Sequence, residues 1–286
     1  DRSVSRGLGD VYKRQAYYNM VIAKESKTGL CMLTGENVPL TELHAKNIFP
    51  LQSGAKLVSA NDKTEYTFRG TFVKNAEDLL TIGYEASQKS HNMLRWLLNN
   101  FGIIAGNEMF VYWNPNGRYV PSPFEDRKEG EEIISDRETL YRSIFESTED
   151  SLSSTDCIVI AAFKAMTTGR LALAYYSETP GNDFVAKLEK WKESFTGAKW
   201  IPSIYTVSKY AYGLERNERI EIESGIYTKK IEELLWCKLY GHPISESLKN
   251  ALVTKASSPL KYKSLKNRRY ITYIAALILR KYENDK

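Results

Sequence analysis

The stretch Cys157–Ser177 reads CIVIAAFKAMTTGRLALAYYS, and it lies where the character of the chain changes. Two β-rich runs, Cys157–Lys164 and Arg170–Ser177, flank a short Thr-Thr-Gly turn, which predicts a β-hairpin. The pattern before this hairpin mixes strands and helix, whereas the pattern after Pro180 is helical. The sequence therefore predicts an α+β fold, in which mixed strands, a long amphipathic helix and the hairpin are followed by an all-α helical region.

The clearest element before the hairpin is an amphipathic helix, predicted over Asn75–Asn100 and ended by Gly102. A strand pair is predicted at Ala16–Ala23 and Gly29–Leu33, with the turn at Ser26–Gly29. Single strands are predicted at Lys56–Ser59 and Glu108–Trp113. After the hairpin, helices are predicted at Asp183–Phe195, Ile204–Tyr212, Gly225–Tyr240, Ser245–Lys255 and Leu265–Tyr282.

We expect five segments along the chain. Residues 1–15, DRSVSRGLGDVYKRQ, resemble translated adapter sequence and are left out of the fold reasoning. Residues 16–120 form an α+β region, and residues 151–200 add the hairpin and a helix to the same domain. Between them, residues 121–150 form an acidic linker with ten Asp/Glu against four Lys/Arg and one helix near Arg137–Glu146. Residues 201–286 form a basic helical region.

Charge and cysteine content favour an intracellular protein. The formal net charge is +5, which permits a nucleic-acid partner without requiring one. The three cysteines, Cys31, Cys157 and Cys237, are far apart and form no CxxC pair, as expected of a reduced, cytoplasmic protein. No apolar run reaches the roughly 18 residues of a membrane span, so we expect no membrane contact.

Residues for catalysis are scarce, and the sequence predicts that the protein is not an enzyme. It contains no Walker A loop, HExxH, GxSxG or GxGxxG motif, and no DxD-type pair beside an apolar strand. Cys31 and His44 could supply two zinc ligands, but a zinc site needs three or four. We therefore expect no catalytic residue, no metal site and no cofactor. A metal-dependent hydrolase is the weakest alternative.

The helix over Asn75–Asn100 has an unusual polar face. At about 100° per residue, one face carries an apolar set: Leu79, Ala86, Met93, Leu94 and Leu97. The opposite face carries groups that suit phosphate and base-edge contacts: Tyr84, Gln88, His91, Asn92 and Arg95. A hydrated face, or a face docked on another subunit, would show the same pattern.

The loop Gly54–Gly70 precedes this helix and is rich in Ser, Asn, Lys, Thr and Arg. Small polar residues beside glycines leave backbone N–H groups available to phosphates, although an ordinary turn has a similar composition. Glu85 and Lys89 are four residues apart, a spacing that more often makes a local salt bridge than a site. The candidate contact set of this region is Asn61, Lys63, Arg69, Gln88, Lys89, Asn92 and Arg95.

A second candidate surface lies in the run Lys249–Lys281, which holds nine Lys/Arg and no Asp or Glu. So many like charges repel one another unless a counter-charge is present, and a phosphate backbone is a natural one. An acidic protein surface, such as the linker 121–150, is the alternative counter-charge. The candidate phosphate-binding set is Lys261, Lys263, Lys266, Arg268 and Arg269.

Several of these blocks resemble one family when they are taken in order. CMLTGENVPLTELH (Cys31–His44), LVSANDKTEYTFRG (Leu57–Gly70) and GYEASQKSHNMLRWLL (Gly83–Leu98) resemble consecutive blocks of the CRISPR-associated large-subunit family of type I-C, the Dvulg subtype. Later blocks agree in the same order: Phe110–Trp113, Thr168–Tyr176, Lys187–Trp200, Ile201–Gly213, Leu234–Leu248 and Lys255–Lys281. In the Lys187–Trp200 block, Lys192 stands where the family usually has His.

The resemblance implies a non-catalytic large subunit of a Cascade effector in a prokaryotic cytoplasm. It implies roles in recognising the protospacer-adjacent motif, in binding target DNA and in R-loop formation during antiviral defence, while the guide RNA reads the sequence. The implied partners are target double-stranded DNA, the crRNA-bound backbone and 5′-handle subunits, the small subunit and a recruited helicase-nuclease. Family members are longer, so we expect this chain to be a fragment. The alternative is a structural scaffold that docks on the backbone without touching DNA.

Overall fold

The structure of the chain is a computed structural model that describes residues 27–58, 80–124, 152–195, 197–222 and 224–285, with 12–13, 15–17, 19–20 and 23 nearer the N-terminus. It confirms the predicted α+β class. Two compact units are present: unit 1 comprises Asp1–Asn99 with Ala165–Ala172, and unit 2 comprises Asn100–Lys164 with Leu173–Lys286. Among the described residues, no helix is long and apolar enough to cross a bilayer.

Unit 1 begins with a small antiparallel hairpin. Strand β1 (Thr28–Leu30) pairs with β2 (Asn37–Pro39), so that Thr28 lies opposite Pro39. The turn is closed locally, because Cys31 N–H donates to the Glu36 carbonyl at 2.8 Å and Gly35 adopts φ 73°. The predicted pairing with Ala16–Ala23 is therefore wrong: β1 finds its partner nearer in sequence, and the described residues between 12 and 23 are helical.

Helix α1 (Tyr84–Phe101) dominates unit 1 and begins later than the sequence predicts. Residues 80–83 are not helical, because they run beside β2: Gly83 bridges Leu40, and Thr41 N–H donates to the Ile82 carbonyl at 3.0 Å. Gly83 allows this close approach, since a Cβ there would lie 2.7 Å from Val38 Cγ2 and the valine would have to shift. The predicted stop before Gly102 is confirmed.

The tip of the long hairpin also belongs to unit 1. Lys56 makes a parallel bridge with Arg170, where Lys56 N–H donates to the Gly169 carbonyl at 3.1 Å and Leu171 N–H donates to the Lys56 carbonyl at 2.9 Å. The strand predicted from Lys56 is thus an isolated bridge in the described residues, and Ser59 lies outside them.

Unit 2 is built on a four-stranded sheet in the order β3-β4-β5-β6. Its strands are β3 (Ile103–Ala105), β4 (Glu108–Trp113), β5 (Cys157–Thr167) and β6 (Arg170–Pro180). The predicted β4 and the β5–β6 hairpin are confirmed, and the last residues of β5 and the first of β6 extend into unit 1. Strand β3 was missed, because three residues carry too little pattern to be recognised.

The five helices predicted after Pro180 match those of unit 2 to within two residues at each end, whereas the helix predicted near Arg137–Glu146 lies outside the described residues. The five helices are α2 (Gly181–Glu193), α3 (Ile204–Tyr212), α4 (Ser224–Tyr240), α5 (Glu246–Ala256) and α6 (Leu265–Asn284), with a 3₁₀ turn at Pro259–Lys261. Serine N-caps explain three of the starts, because the side chains of Ser203, Ser245 and Ser264 each accept a backbone N–H of the first turn.

A small hairpin, β7 (Leu214–Arg216) and β8 (Arg219–Glu221), interrupts the all-α region and was not predicted. Its turn is Asn217-Glu218, and both residues have positive φ. A glutamate in this position is uncommon, which is why the sequence does not indicate the turn. The apolar sides of the helices and sheet meet in one core, with Phe184, Ile231 and Ile274 fully buried.

Candidate nucleic-acid interface

The polar contact set on α1 lies in unit 1. Lys89 is exposed and its Nζ pairs with Glu85 Oε1 at 2.6 Å, the local salt bridge that its spacing favoured. Gln88 is half-buried, and Asn92 is exposed. Three further members of the set, Asn61, Lys63 and Arg69, lie outside the described residues, as does Leu79 of the predicted apolar face.

Arg95 has a structural role that the sequence did not reveal. Its Nε donates to the Asn47 carbonyl at 2.8 Å and its second terminal nitrogen donates to the Lys46 carbonyl at 2.7 Å. The other terminal nitrogen donates to Asn92 Oδ1 at 3.0 Å. The guanidinium thus fixes the 46–47 loop beside α1, and its charge stays at the surface next to the amide of Asn92.

The predicted faces of α1 are wrong at two positions. His91, assigned to the polar face, is only 3% exposed, and Met93, assigned to the apolar face, is 45% exposed. The buried stripe follows Ser87, His91, Leu94 and Leu98, which are spaced as one side of a helix. Ser87 and His91 can lie on this buried side because the Ser87 hydroxyl is hydrogen-bonded to a loop residue more than forty positions earlier.

That loop residue is His44, which forms a buried cluster with Ser87 and His91. His44 Nδ1 and Ser87 Oγ are 2.9 Å apart, and His91 Nδ1 donates to the Ser87 carbonyl at 2.6 Å. The two imidazoles stack with centroids 5.7 Å apart. Burial, followed by the neighbouring His91 and Lys56, lowers the pKa of His44 to about 4, so the ring is neutral near pH 7.

Cys31, the second candidate zinc ligand beside His44, is hydrogen-bonded to the backbone instead. Cys31 is fully buried, and its Sγ accepts the Gly83 N–H at 3.2 Å. Burial raises its pKa, but hydrogen bonds from Gly83, Thr34 and Leu33 outweigh burial and lower that pKa to about 7. Within the described ranges, no three His, Cys, Asp or Glu side chains come together as metal ligands.

The basic run of unit 2 separates into inward and outward cations. Four of them hold the fold together: Lys249 near Glu246, Lys255 on the Gly213 carbonyl, Arg268 on the Tyr262 carbonyl, and Lys281 on Asp285. Arg268, a member of the predicted phosphate set, is therefore half-buried with its Nε engaged at 2.6 Å.

The outward cations are Lys261, Lys263, Lys266, Arg269 and Arg280. No carboxylate of the described residues pairs with their side chains, and Lys266 Nζ lies 5.7 Å above the Tyr270 ring. At about 100° per residue, Lys266, Arg269 and Arg280 lie within roughly 60° of one another along α6. We call these five residues the outward basic face. Arg280 was not in the predicted set, although it lies within the same charge run.

The start of α6 is fixed by one carboxylate. Glu215 accepts the backbone N–H groups of Lys263 and Ser264 and the Asn267 amide at 2.6 Å. The Asn267 bond, together with these backbone bonds, holds the pKa of Glu215 below its usual range. Because Glu215 binds only the backbone of Lys263, the ammonium group of that lysine is left to the solvent side.

The tyrosines between these cations are structural. Tyr273 OH donates to the Trp200 carbonyl at 2.8 Å and accepts the Trp200 N–H at 3.1 Å. Trp200 stacks on the Tyr273 ring with centroids 5.1 Å apart, and Tyr262 is buried. These rings position the basic helix, and the part of the surface that can neutralise phosphates consists of the outward basic face.

A family model described as "CRISPR-associated protein (Cas_Csd1)" matches residues 7–286. The chain belongs to this family. It is therefore a member of a family of CRISPR Cascade subunits, as the ordered blocks from Cys31 to Lys281 suggested. Neither a search of curated proteins nor a search of solved structures found a match.

The extent of the family match bears on the N-terminal segment. It begins at residue 7, inside the segment 1–15 that we assigned to adapter sequence, so only residues 1–6 lie outside the Cas_Csd1 match. Both the α1 set and the outward basic face lie within the matched region.

Proposed function

We propose that this Cas_Csd1 family member is a non-catalytic large subunit of a type I-C CRISPR surveillance complex. In this proposal it contributes to protospacer-adjacent-motif recognition, target DNA binding and R-loop formation. Its partners are target double-stranded DNA, the crRNA-bound backbone with its 5′-handle subunits, the small subunit and a recruited helicase-nuclease. The DNA-binding part of the proposal rests on the outward basic face, together with membership of a family of Cascade subunits.

The chemistry of this face favours a phosphate backbone. Guanidinium and ammonium groups on one side of a helix neutralise phosphates without reading bases, so binding should be independent of sequence and should weaken with salt. Lys266, Arg269 and Arg280 span fourteen residues of α6, or about 21 Å at 1.5 Å per residue. That length covers several phosphates of one strand.

The α1 set suits a different contact. Asn92 presents an amide at the surface beside the guanidinium of Arg95, and amides can read base edges. The 46–47 loop is fixed by Arg95, so this corner is preorganised before any ligand binds. We assign short-motif reading to this part of unit 1 and backbone binding to unit 2.

The test removes three outward cations and measures affinity for duplex DNA at several salt concentrations. Lys261→Ala with Lys266→Ala and Arg269→Ala should reduce the slope of log K against log salt by up to about 2.7, or roughly 0.9 per lost phosphate contact. The matched control removes three exposed lysines elsewhere in unit 2: Lys190, Lys192 and Lys229. Equal slopes for the two triple variants would reject the assignment.

A scaffold without DNA contact is the second candidate, and the pairing of Lys89 and Arg95 within unit 1 favours it. A scaffold needs its polar surfaces for other subunits, and its basic face would meet acidic protein. In that case the triple variant of the outward face would fail to assemble with the other subunits. DNA affinity of the assembled fraction would be unchanged.

A further inference from the structure

An open apolar groove runs between α5 and α6. It has a volume of about 270 Å³ and is lined by Val253, Ala256, Ser257, Thr272, Ala275, Ala276 and Leu279. Thr272, Ala276 and Leu279 follow one another at helical spacing along α6, and all three are exposed. Leu279 is 39% exposed, which leaves a large apolar side chain at the end of the groove.

The groove offers almost no polar group to a ligand. Its two hydroxyls donate to carbonyls of their own helices: Ser257 Oγ to Val253 at 2.8 Å, and Thr272 Oγ1 to Arg268 at 3.0 Å. The remaining lining residues are aliphatic. A nucleic acid or a polar metabolite would have to lose its water here without gaining hydrogen bonds, so the groove favours an apolar occupant.

The charges beside the groove are asymmetric. On the α6 side, Arg269 and Arg280 are exposed and no described carboxylate pairs with them. On the α5 side, Lys249 is 3.6 Å from Glu246 and lies over the Tyr282 ring at 4.5 Å, so its charge is partly compensated. An occupant that complements the groove carries negative charge on the side that faces α6.

The shape of the groove matches the side of a helix. Small residues at its floor, Ala256, Ala275 and Ala276, allow a third helix axis to approach closely, as when ridges pack into grooves. From Thr272 to Leu279 the groove is about 10 Å long, which corresponds to about two helical turns. Helices α5 and α6 therefore offer two walls against which a third helix can pack.

We propose that this groove docks an α-helix of a protein partner. The partner helix has an apolar edge of small and leucine-sized side chains that fills the groove. A row of carboxylates beside this edge meets Arg269 and Arg280. A second copy of this chain is disfavoured, because residues 246–284 carry nine Lys/Arg against two carboxylates, Glu246 and Glu283, so two such surfaces would repel each other. The groove lining itself carries no phosphate ligand, but Arg269 and Arg280 also belong to the outward basic face, so a bound helix and a phosphate backbone would compete for these two side chains.

The test uses the full chain and a labelled helical peptide of about 15 residues. The peptide has alanine and leucine on one edge and glutamates along one side of that edge. A matched peptide carries lysines in place of the glutamates. Binding is followed by fluorescence anisotropy for the wild type, for Ala276→Arg, which blocks the groove, and for Thr254→Arg, which adds the same charge on an exposed position of α5 outside the lining.

We expect the acidic peptide to bind the wild type and Thr254→Arg equally, and Ala276→Arg at least about tenfold more weakly. The lysine peptide should not bind. Because Ala276→Arg adds a positive charge, its affinity for duplex DNA should not fall, which separates this test from that of the DNA-binding function. Three results would overturn the proposal: no saturable peptide binding, equal binding by both variants, or a dimer in sedimentation that Ala276→Arg abolishes.

Discussion

The buried cluster of His44, Ser87 and His91 makes unit 1 sensitive to acid, and the size of the effect follows from one pKa. His44 has a pKa of about 4 in the folded chain, against an ordinary value of 6.5. Above pH 6.5 the ring is neutral in both the folded and the unfolded state, so it causes no pH dependence. As the pH falls below 6.5, the unfolded state binds a proton that the folded state excludes, and stability is lost until about pH 4.

At about pH 5 the unfolded ring lies roughly 1.5 pH units below its pKa, while the folded ring is still mostly neutral. Each unit corresponds to 1.36 kcal/mol, so the unfolding free energy of unit 1 should fall by about 2 kcal/mol between pH 7.5 and pH 5. Hydrogen exchange of α1, measured by mass spectrometry across this range, reads the effect directly. Peptides from α5 and α6 serve as an internal reference.

The variant His44→Asn isolates the cause. An asparagine oxygen can still accept the Ser87 hydroxyl, but it does not titrate, so most of the acid loss in α1 should disappear. The control is His242→Asn, because His242 is exposed and lies after α4 in unit 2. Identical pH profiles of α1 exchange in the wild type and His44→Asn would refute the reasoning.

Three further variants test the local account. Arg95→Ala removes two hydrogen bonds to the 46–47 carbonyls, so the free chain should lose about 1–3 kcal/mol in urea unfolding even without DNA; an unchanged midpoint would mean that the side chain has no structural role. Gly83→Ala places a Cβ 2.7 Å from Val38 Cγ2 and should lower the thermal midpoint of unit 1, whereas a neutral result would contradict the close approach. Lys164→Ala leaves the buried Glu108 carboxylate without its 2.8 Å partner and should cost about 3–5 kcal/mol in urea unfolding, whereas the double variant Lys164→Ala with Glu108→Gln should lose less; an equal loss in the single and double variants would argue against an unpaired charge.

The helical half of unit 2 could be predicted because its information is local. Ser203, Ser245 and Ser264 cap their own helices, and the apolar periodicity behind them is regular. The same holds for the β5–β6 hairpin, whose two runs are adjacent in sequence. The errors arose where distant contacts decide the structure. Residues 80–83 have a helical pattern but pair with residues 32–41, which lie far away in sequence.

In the candidate site, too, local features could be predicted from the sequence and distant contacts could not. The charge run that contains the outward basic face is visible in the sequence, but which of its members point outward is not. Arg268 and Lys281 are drawn inward by a carbonyl and a carboxylate, whereas Arg280 stays at the surface. Histidine is often a surface residue, but His91 is buried here, where its ring bonds to the Ser87 carbonyl and the Ser87 hydroxyl bonds to His44. The two hydrogen bonds from Arg95 to the Lys46 and Asn47 carbonyls could not be predicted, because no local sequence pattern indicates them.

In the proposed function, the outward basic face touches target DNA within an assembled effector. Co-purification of the chain with crRNA and the neighbouring subunits, followed by cross-linking to a photoreactive target duplex, tests this claim directly. We predict cross-links to peptides of α6 that contain Lys266 and Arg269, and their loss in the triple variant that removes Lys261, Lys266 and Arg269. Cross-links to the other subunits alone, with α6 unlabelled in a fully assembled complex, would contradict it.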